Sequence, residues 1–277
     1  MSSEQQLSVR FWGVRGTLPT AGPETVCYGG NTSCVEVELG RRSVIFDAGT
    51  GIKKLGDRLA GHRNVDADLL FSHCHMDHVC GVPFFLPFYD ARHRIRLWAG
   101  YLLPSGNLKD AIRTIMSPPL FPIEIEAFQA EVEFRDFHAG ETLDLGSGIK
   151  ARTGMLNHPG GAVGYRLEWA GKSIAYITDT EHRLDELDRT ILSLVQNADL
   201  MIYDCTYTDE EFPDHAGWGH STWQQAVRLA EAGGVNRLAI FHHDPDHDDA
   251  FMQKVDVAAS KAHPGAFVAR EGLVLQL

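Results

Sequence analysis

The sequence predicts an α/β fold built on mixed sheets. Strand-like apolar runs alternate with helix-like runs from one end to the other. No internal repeat, low-complexity linker or clear boundary interrupts them, so one domain over 1–277 is the simplest account. The 277 residues are 44% hydrophobic and 22% charged, enough apolar content for a substantial core.

The elements follow in order. Residues 7–12, 34–39 and 43–46 have strand character. Asp47-Ala-Gly-Thr-Gly51 then turns the chain into a helix over 52–59. Residues 68–71 form a short buried strand, and 79–89 start helically until Pro83 and Pro87 interrupt. A strand at 95–98 and a helix at 108–116 come next, the latter closed by Ser117-Pro118-Pro119. Strands are predicted near 131–137, 149–155, 163–169 and 173–178, a helix over 184–195 and a strand over 200–203. An amphipathic helix over 222–232 is closed by Gly233-Gly234. A strand at 238–241, a helix at 248–262 and a strand at 273–277 complete the chain.

The densest chemistry lies at 73–78, His-Cys-His-Met-Asp-His, directly after Leu69-Leu70-Phe71. Imidazole and carboxylate donors suit Zn²⁺, and also Mn²⁺ or Fe²⁺. Further candidates follow strands: His158, Asp179 and His242. Loops at one edge of a sheet are where such a site is expected. The acids Asp244, Asp246, Asp248 and Asp249 precede a helix, where they complement its dipole.

Formal net charge is −12 with no basic block, which opposes tight binding of extended nucleic acid. Bound cations would reverse that sign locally for a small anion. The five cysteines match neither a disulfide framework nor a CxxC zinc site. The polar N-terminus lacks a signal-peptide core, and no apolar run has the length of a membrane span. A soluble cytoplasmic protein without a membrane partner is expected. The apolar segment 83–128, with Phe84, Phe85, Phe88, Leu120 and Phe121, is expected to be core, a cap over the site, or a homodimer contact.

Seven short motifs occur in order: Phe11-Trp-Gly-Val-Arg-Gly16, Phe46-Asp-Ala-Gly49, the 73–78 cluster, Asn157-His-Pro-Gly160, Thr178-Asp-Thr180, Gly219-His-Ser-Thr222 and Phe241-His-His-Asp244. Together they resemble the metallo-β-lactamase superfamily over nearly the whole chain, in its ribonuclease Z and cyclic-phosphodiesterase branch. The resemblance implies a four-layer αββα sandwich with a two-metal site. His73, His75 and His158 would hold one cation, Asp77, His78 and His242 the other, and Asp179 would bridge them. His243 competes with His242. The strand-then-His order favours His242, and alternation turns only one of the pair toward a metal. His243 is then left to support the site or touch substrate. His220 aligns with a histidine near the scissile phosphate. Asp47 and Asn31 would orient ligand histidines.

The implied chemistry is attack of a metal-bridging hydroxide on phosphorus, with Asp77 orienting or deprotonating the nucleophile and His220 serving the leaving alkoxide. Asp179 stands where true β-lactamases carry a cysteine. Only about twenty residues separate His158 from Asp179, too few for the basic tRNA-gripping arm of ribonuclease Z. A small phosphodiester, such as a cyclic one, is therefore the expected substrate. The alternative is a carboxylic ester, lactone or thioester. A tRNA 3′-processing endonuclease and a non-catalytic binding protein rank lower. Cys27 and Cys34 alone do not reproduce the extra cysteine-rich zinc site of phosphoribosyl cyclic phosphodiesterases.

Overall fold

The structure is a computed structural model and describes residues 7–62 and 64–277. The polar N-terminal hexapeptide lies outside the described residues. The chain divides into two compact units. The first comprises the residues through Gly13, Asn31–His138 and Glu271–Leu277; the second comprises Val14–Gly30 and Ala139–Arg270.

The first unit carries β1 (Leu7–Gly13), β2 (Cys34–Leu39), β3 (Arg42–Phe46), α1 (Ile52–Ala60), β4 (Asp66–Phe71), α2 (Met76–Val79), β5 (Arg94–Ala99), α3 (Leu108–Ile115) and β6 (Glu131–Asp136). The C-terminal strand β14 (Val274–Gln276) returns to pair with β1, giving the sheet order β14-β1-β2-β3-β4-β5-β6. The strands from β3 to β6 run parallel. Central β4 is accordingly apolar on both faces over Leu69, Leu70 and Phe71. Helix α1 buries Ile52, Leu55, Gly56 and Leu59, the one-face spacing of an amphipathic helix.

The second unit carries β7 (Thr142–Gly146), β8 (Ile149–Leu156), β9 (Ala162–Trp169), β10 (Lys172–Ile177), α4 (Arg189–Val195), β11 (Leu200–Asp204), α5 (Trp223–Gly233), β12 (Leu238–Phe241), α6 (Asp249–Ala262) and β13 (Ala266–Val268). Its sheet order is β13-β12-β11-β10-β9-β8-β7. β7 to β10 form an antiparallel meander, whereas β10 to β13 are parallel. Two antiparallel steps make β8 run in the same direction as β10. The carboxyl ends of β8, β10, β11 and β12 therefore share one edge, where open α/β sheets bind ligands. Each helix has a side-chain cap: Asp188 accepts from Ile191 N, Thr222 from Gln225 N and Asp248 from Phe251 N. Gly234, at φ +64°, ends α5.

Three readings of the sequence change. Helix α2 starts before Val79 and includes Asp77 and His78. Pro83 and Pro87 then sit in the first turns of two short 3₁₀ segments, Val82–Phe84 and Leu86–Tyr89. The helix expected over 184–195 begins at Arg189, because Asp188 caps it there. Strands β7 and β13 were not expected; Thr142-Leu-Asp-Leu145 carries a short alternation that marks β7. Within the segment 83–128, Phe85 and Phe88 are core, while Phe84 and Leu120 are exposed. Leu69 in β4 is fully buried in the first unit's core. Leu69→Ala is expected to lower stability by about 2–5 kcal/mol, measured as a shift in the urea unfolding midpoint; a change under about 0.5 kcal/mol would contradict this packing.

Candidate metal-binding clusters

In the first unit the cluster follows β4 and is organised by Asp47. This residue comes directly after β3 and is itself at φ +59°, a left-handed conformation costing about 1–3 kcal/mol in a non-glycine residue. Its carboxylate accepts from Ser72 N (2.7 Å), Ser72 Oγ (2.8 Å) and His78 Nδ1 (2.8 Å). His78 Nε2 is thereby turned to Asp77 Oδ2, 3.1 Å away. The His73 ring lies 4.4 Å from the His75 ring and 4.3 Å from the His78 ring, centroid to centroid. His73, Asp77 and His78 are buried, and His75 is exposed. The turn after Asp47 packs so tightly that a Cβ on Gly49 would lie 2.3 Å from the Asp77 carbonyl, which explains the glycine. Asn31 sits farther from this chemistry: its backbone N and Nδ2 donate to Glu271 and tie its loop to the C-terminal segment. Burial pushes the Cys74 thiol up to about 11, so it is no ready thiolate.

The second unit presents the ends of β8, β10, β11 and β12. Asp179 (φ +58°) and His242 (φ +61°) follow their strands closely in the same left-handed conformation as Asp47. Asp179 faces two imidazoles with different oxygens: His158 Nε2 is 3.9 Å from Oδ1, and His242 Nε2 is 3.3 Å from Oδ2. His158 Nδ1 donates to the Gly219 carbonyl at 2.8 Å. Thr206 gives its proton to Asp204 Oδ1 (2.8 Å), and its oxygen accepts from His242 Nδ1 (3.0 Å).

His78, His158 and His242 thus share one arrangement. Nδ1 is anchored and Nε2 is directed at a carboxylate, as in metal-binding histidines oriented from behind. The donor atoms of His158, Asp179 and His220 lie within 4.8 Å of one another, as do those of Asp204, His220 and His242. Buried imidazoles and carboxylates gathered at this spacing fit divalent cations.

His220 is held differently. Its Nδ1 donates to Asp204 Oδ2 at 3.0 Å and lies 3.8 Å from Asp179 Oδ1; its ring stacks on His242 at 5.0 Å. Asp204 is a residue the sequence reading missed. It is wholly buried and also accepts from the backbone N of Thr180 and Thr206. Burial alone would raise its carboxyl, but the His220 charge and hydrogen bond, with His242 nearby, hold it below the usual range. The signal was its position, an acid at a strand end in the same sheet as Asp179 and His242.

His243 turns to the unit's interior. Its Nε2 donates to the Ala269 carbonyl (2.8 Å) and its ring meets Tyr28 edge-on. Burial, with the Arg15 charge beside it, pushes its pKa down to about 3. The acids after it serve local structure. Asp248 caps α6, Asp249 accepts from Cys27 N and Tyr28 N, and Asp244 accepts from Asp246 N.

Two seven-stranded mixed sheets with His/Asp clusters at their strand ends define a metal-dependent hydrolase of the metallo-β-lactamase fold. The family model described as a beta-lactamase superfamily domain matches residues 42–243, and the chain belongs to that superfamily. Ribonuclease Z of Natronomonas pharaonis is 26% identical over 288 residues, covering 85% of this chain and 86% of that protein. The metallo-β-lactamase fold protein YhfI from Bacillus subtilis superposes with a TM-score of 0.71 at 18% identity, covering 97% of this chain and 99% of that one. A diphosphatase from the PhnP family superposes with a TM-score of 0.72 at 18% identity, covering 98% of each. Among the described residues no helix is long and apolar enough to cross a membrane.

The Val14-Arg15-Gly16 segment backs His242. Gly16 N donates to the His243 carbonyl, and His243 N donates to the Val14 carbonyl. The buried Arg15 guanidinium donates to the carbonyls of Gly29, Asp244 and His247. A Cβ on Gly16 would lie 2.3 Å from His242 Nδ1. Gly16→Ala is therefore expected to cost about 1–3 kcal/mol by overpacking, read by urea denaturation with the far-ultraviolet spectrum retained. A variant as stable as the parent would show that the His242 ring moves aside freely.

Proposed function

We propose that the protein is a phosphodiesterase acting on a small phosphodiester, cyclic or linear, with two divalent cations held by His73, His75, Asp77, His78, His158, Asp179 and His242. The observation that carries this reading is the Asp179 carboxylate, whose two oxygens face the separate imidazoles His158 and His242. Thr178 Oγ1 donates to Oδ2 at 2.7 Å and fixes the carboxylate in a posture that would let it be shared between two ions. Zn²⁺ fits the donor set best, with Mn²⁺ or Fe²⁺ compatible. When bound, such ions supply a water of lowered pKa and neutralise charge on the phosphoryl oxygens.

The chain's own residues provide the rest. Asp77 orients the attacking water or takes its proton. Asp204 holds His220 through Nδ1, and His220 delivers a proton to the leaving alkoxide. Such general acid catalysis contributes about 10²–10⁴-fold. The names of two similar proteins, ribonuclease Z and a diphosphatase, support phosphorus rather than carbonyl chemistry. The interval between His158 and Asp179 is filled by β9 and β10, and this supports a small substrate over tRNA. The ribonuclease Z relationship keeps precursor-tRNA cleavage as the second reading. All five cysteines are free thiols, which supports a cytoplasmic setting.

Metal content by mass spectrometry, with turnover of bis-p-nitrophenyl phosphate, 2′,3′-cyclic nucleotides, a lactone, a thioester and a precursor tRNA, tests the proposal. Diester turnover by protein carrying two metals per chain is expected. Lactone or thioester turnover without diester turnover would sink it, and specific tRNA cleavage would select the second reading. His220→Ala is expected to keep its metals and lose about 10²–10⁴-fold in kcat. Asp204→Asn is expected to keep them and lose about 10–100-fold. Parental rates in either variant would remove that residue from the mechanism.

A further inference from the structure

Beside the cluster of the second unit lies a cavity of about 800 Å³ that the proposed chemistry does not use. Its walls include His182, Leu184, Leu187, Phe212, Pro213 and Ala216, with Asp209 and Arg228 also contributing. That volume is within the range of small-molecule pockets. The chain connects it to the cluster. His182 comes three residues after Asp179, and its Nδ1 is 2.8 Å from Oγ of Ser221, the neighbour of His220. Glu181 accepts from the backbone N of Gly217 and Gly219, and the Gly219 carbonyl is the one that holds His158.

The lining specifies what fits. Each cation at the cavity is matched by a carboxylate, Arg228 by Asp209 and Arg183 by Glu186, and Asp185 adds a further acid, so the lining does not favour a phosphate. Leu184, Leu187, Phe212, Pro213 and Ala216 offer apolar surface, and the His182 ring stacks on Phe212 at 4.2 Å. His182 is 8% exposed, and burial keeps its pKa below the ordinary value, so the ring is neutral. Tyr203 Oη donates to Ser221 Oγ (3.1 Å), and the Ser221 hydroxyl then donates to His182 Nδ1. With the Ser221 hydroxyl donating in this way, the imidazole proton sits on Nε2, for which the described residues offer no hydrogen-bond partner.

We infer that this cavity binds an uncharged aromatic ring bearing a hydrogen-bond acceptor, of nucleobase size, with His182 Nε2–H as the donor. Resting on the phosphodiesterase reading, the ring belongs to one alcohol group of the diester, and the cavity sets which esters are preferred.

The probe is adenosine, which carries no phosphate and needs no hydrolysis to bind. Equilibrium dialysis against the parent, Ala216→Trp and His182→Phe is the first arm. The exposed Ala216 position accepts the indole without disturbing the core, and His182→Phe keeps the stack on Phe212 but removes the donor. Saturable binding to the parent is expected, weakened about tenfold or more in Ala216→Trp and less in His182→Phe. No binding, or equal binding to all three, overturns the site even if diesterase activity is found. In the second arm, kcat/KM is compared for the p-nitrophenyl ester of thymidine 5′-phosphate and for methyl p-nitrophenyl phosphate. The ratio of the first to the second is expected to fall about tenfold or more in Ala216→Trp. Adenosine binding with an unchanged ratio overturns the role in substrate choice. Adenosine binding with no diester turnover by the parent leaves the site and refutes the reaction.

Discussion

The structure of the second unit turns on buried carboxylates that meet imidazoles. Asp179 and Asp204 are both almost wholly buried, and each faces histidines rather than solvent. Burying an isolated carboxylate is costly, so such groups persist only when paired or bound to metal. Asp204 is satisfied within the protein by His220, Thr206 and the Thr180 backbone. Asp179, with one oxygen toward His158 and the other toward His242, has the arrangement suited to cations. The same two acids thus differ in surroundings: Asp204 is hydrogen-bonded to His220, and Asp179 lies between His158 and His242.

Backbone geometry makes this possible. Asp47, Asp179 and His242 stand just past the ends of parallel strands at positive φ. Continuing the extended strand would send these side chains along the alternation of the sheet. The left-handed turn instead swings each one across the strand end. Its cost of about 1–3 kcal/mol per residue is offset by hydrogen bonds that a regular strand could not form. At His242 the offset is visible on both flanks, in the backbone bonds that Val14 and Gly16 make to His243 and in the bond from Cys205 N to the Phe241 carbonyl. The conformational tightness of Gly16 and Gly49 has the same origin, since each has the ring or carbonyl of a cluster residue where a Cβ would go.

Alternate treatment of neighbouring histidines follows too. His242 and His243 are chemically identical and adjacent, yet one faces Asp179 and the other donates to Ala269 inside the unit. In the first unit, His78 is anchored by Asp47 while His75 remains exposed. Side-chain type makes a ligand available; the second bond of each ring decides whether it is held for the purpose.

The sequence by itself determined most strands and the 73–78 cluster and placed the candidates His158, Asp179 and His242 after strands, whereas His220 was marked only by the family resemblance. These were legible because apolar runs and turn residues act locally, and because imidazoles packed beside a buried strand have few other uses. It did not reveal Asp204, since one acid after Tyr203 looks like any strand end until the fold brings it to His220. It missed β7 and β13, whose short runs carry little periodic signal, and extended α4 backward past a capping aspartate. Only the tertiary structure decided which oxygen of Asp179 meets which ring, and which of two adjacent histidines faces inward. Those outcomes depend on long-range packing and left-handed backbone turns, neither of which residue type alone specifies.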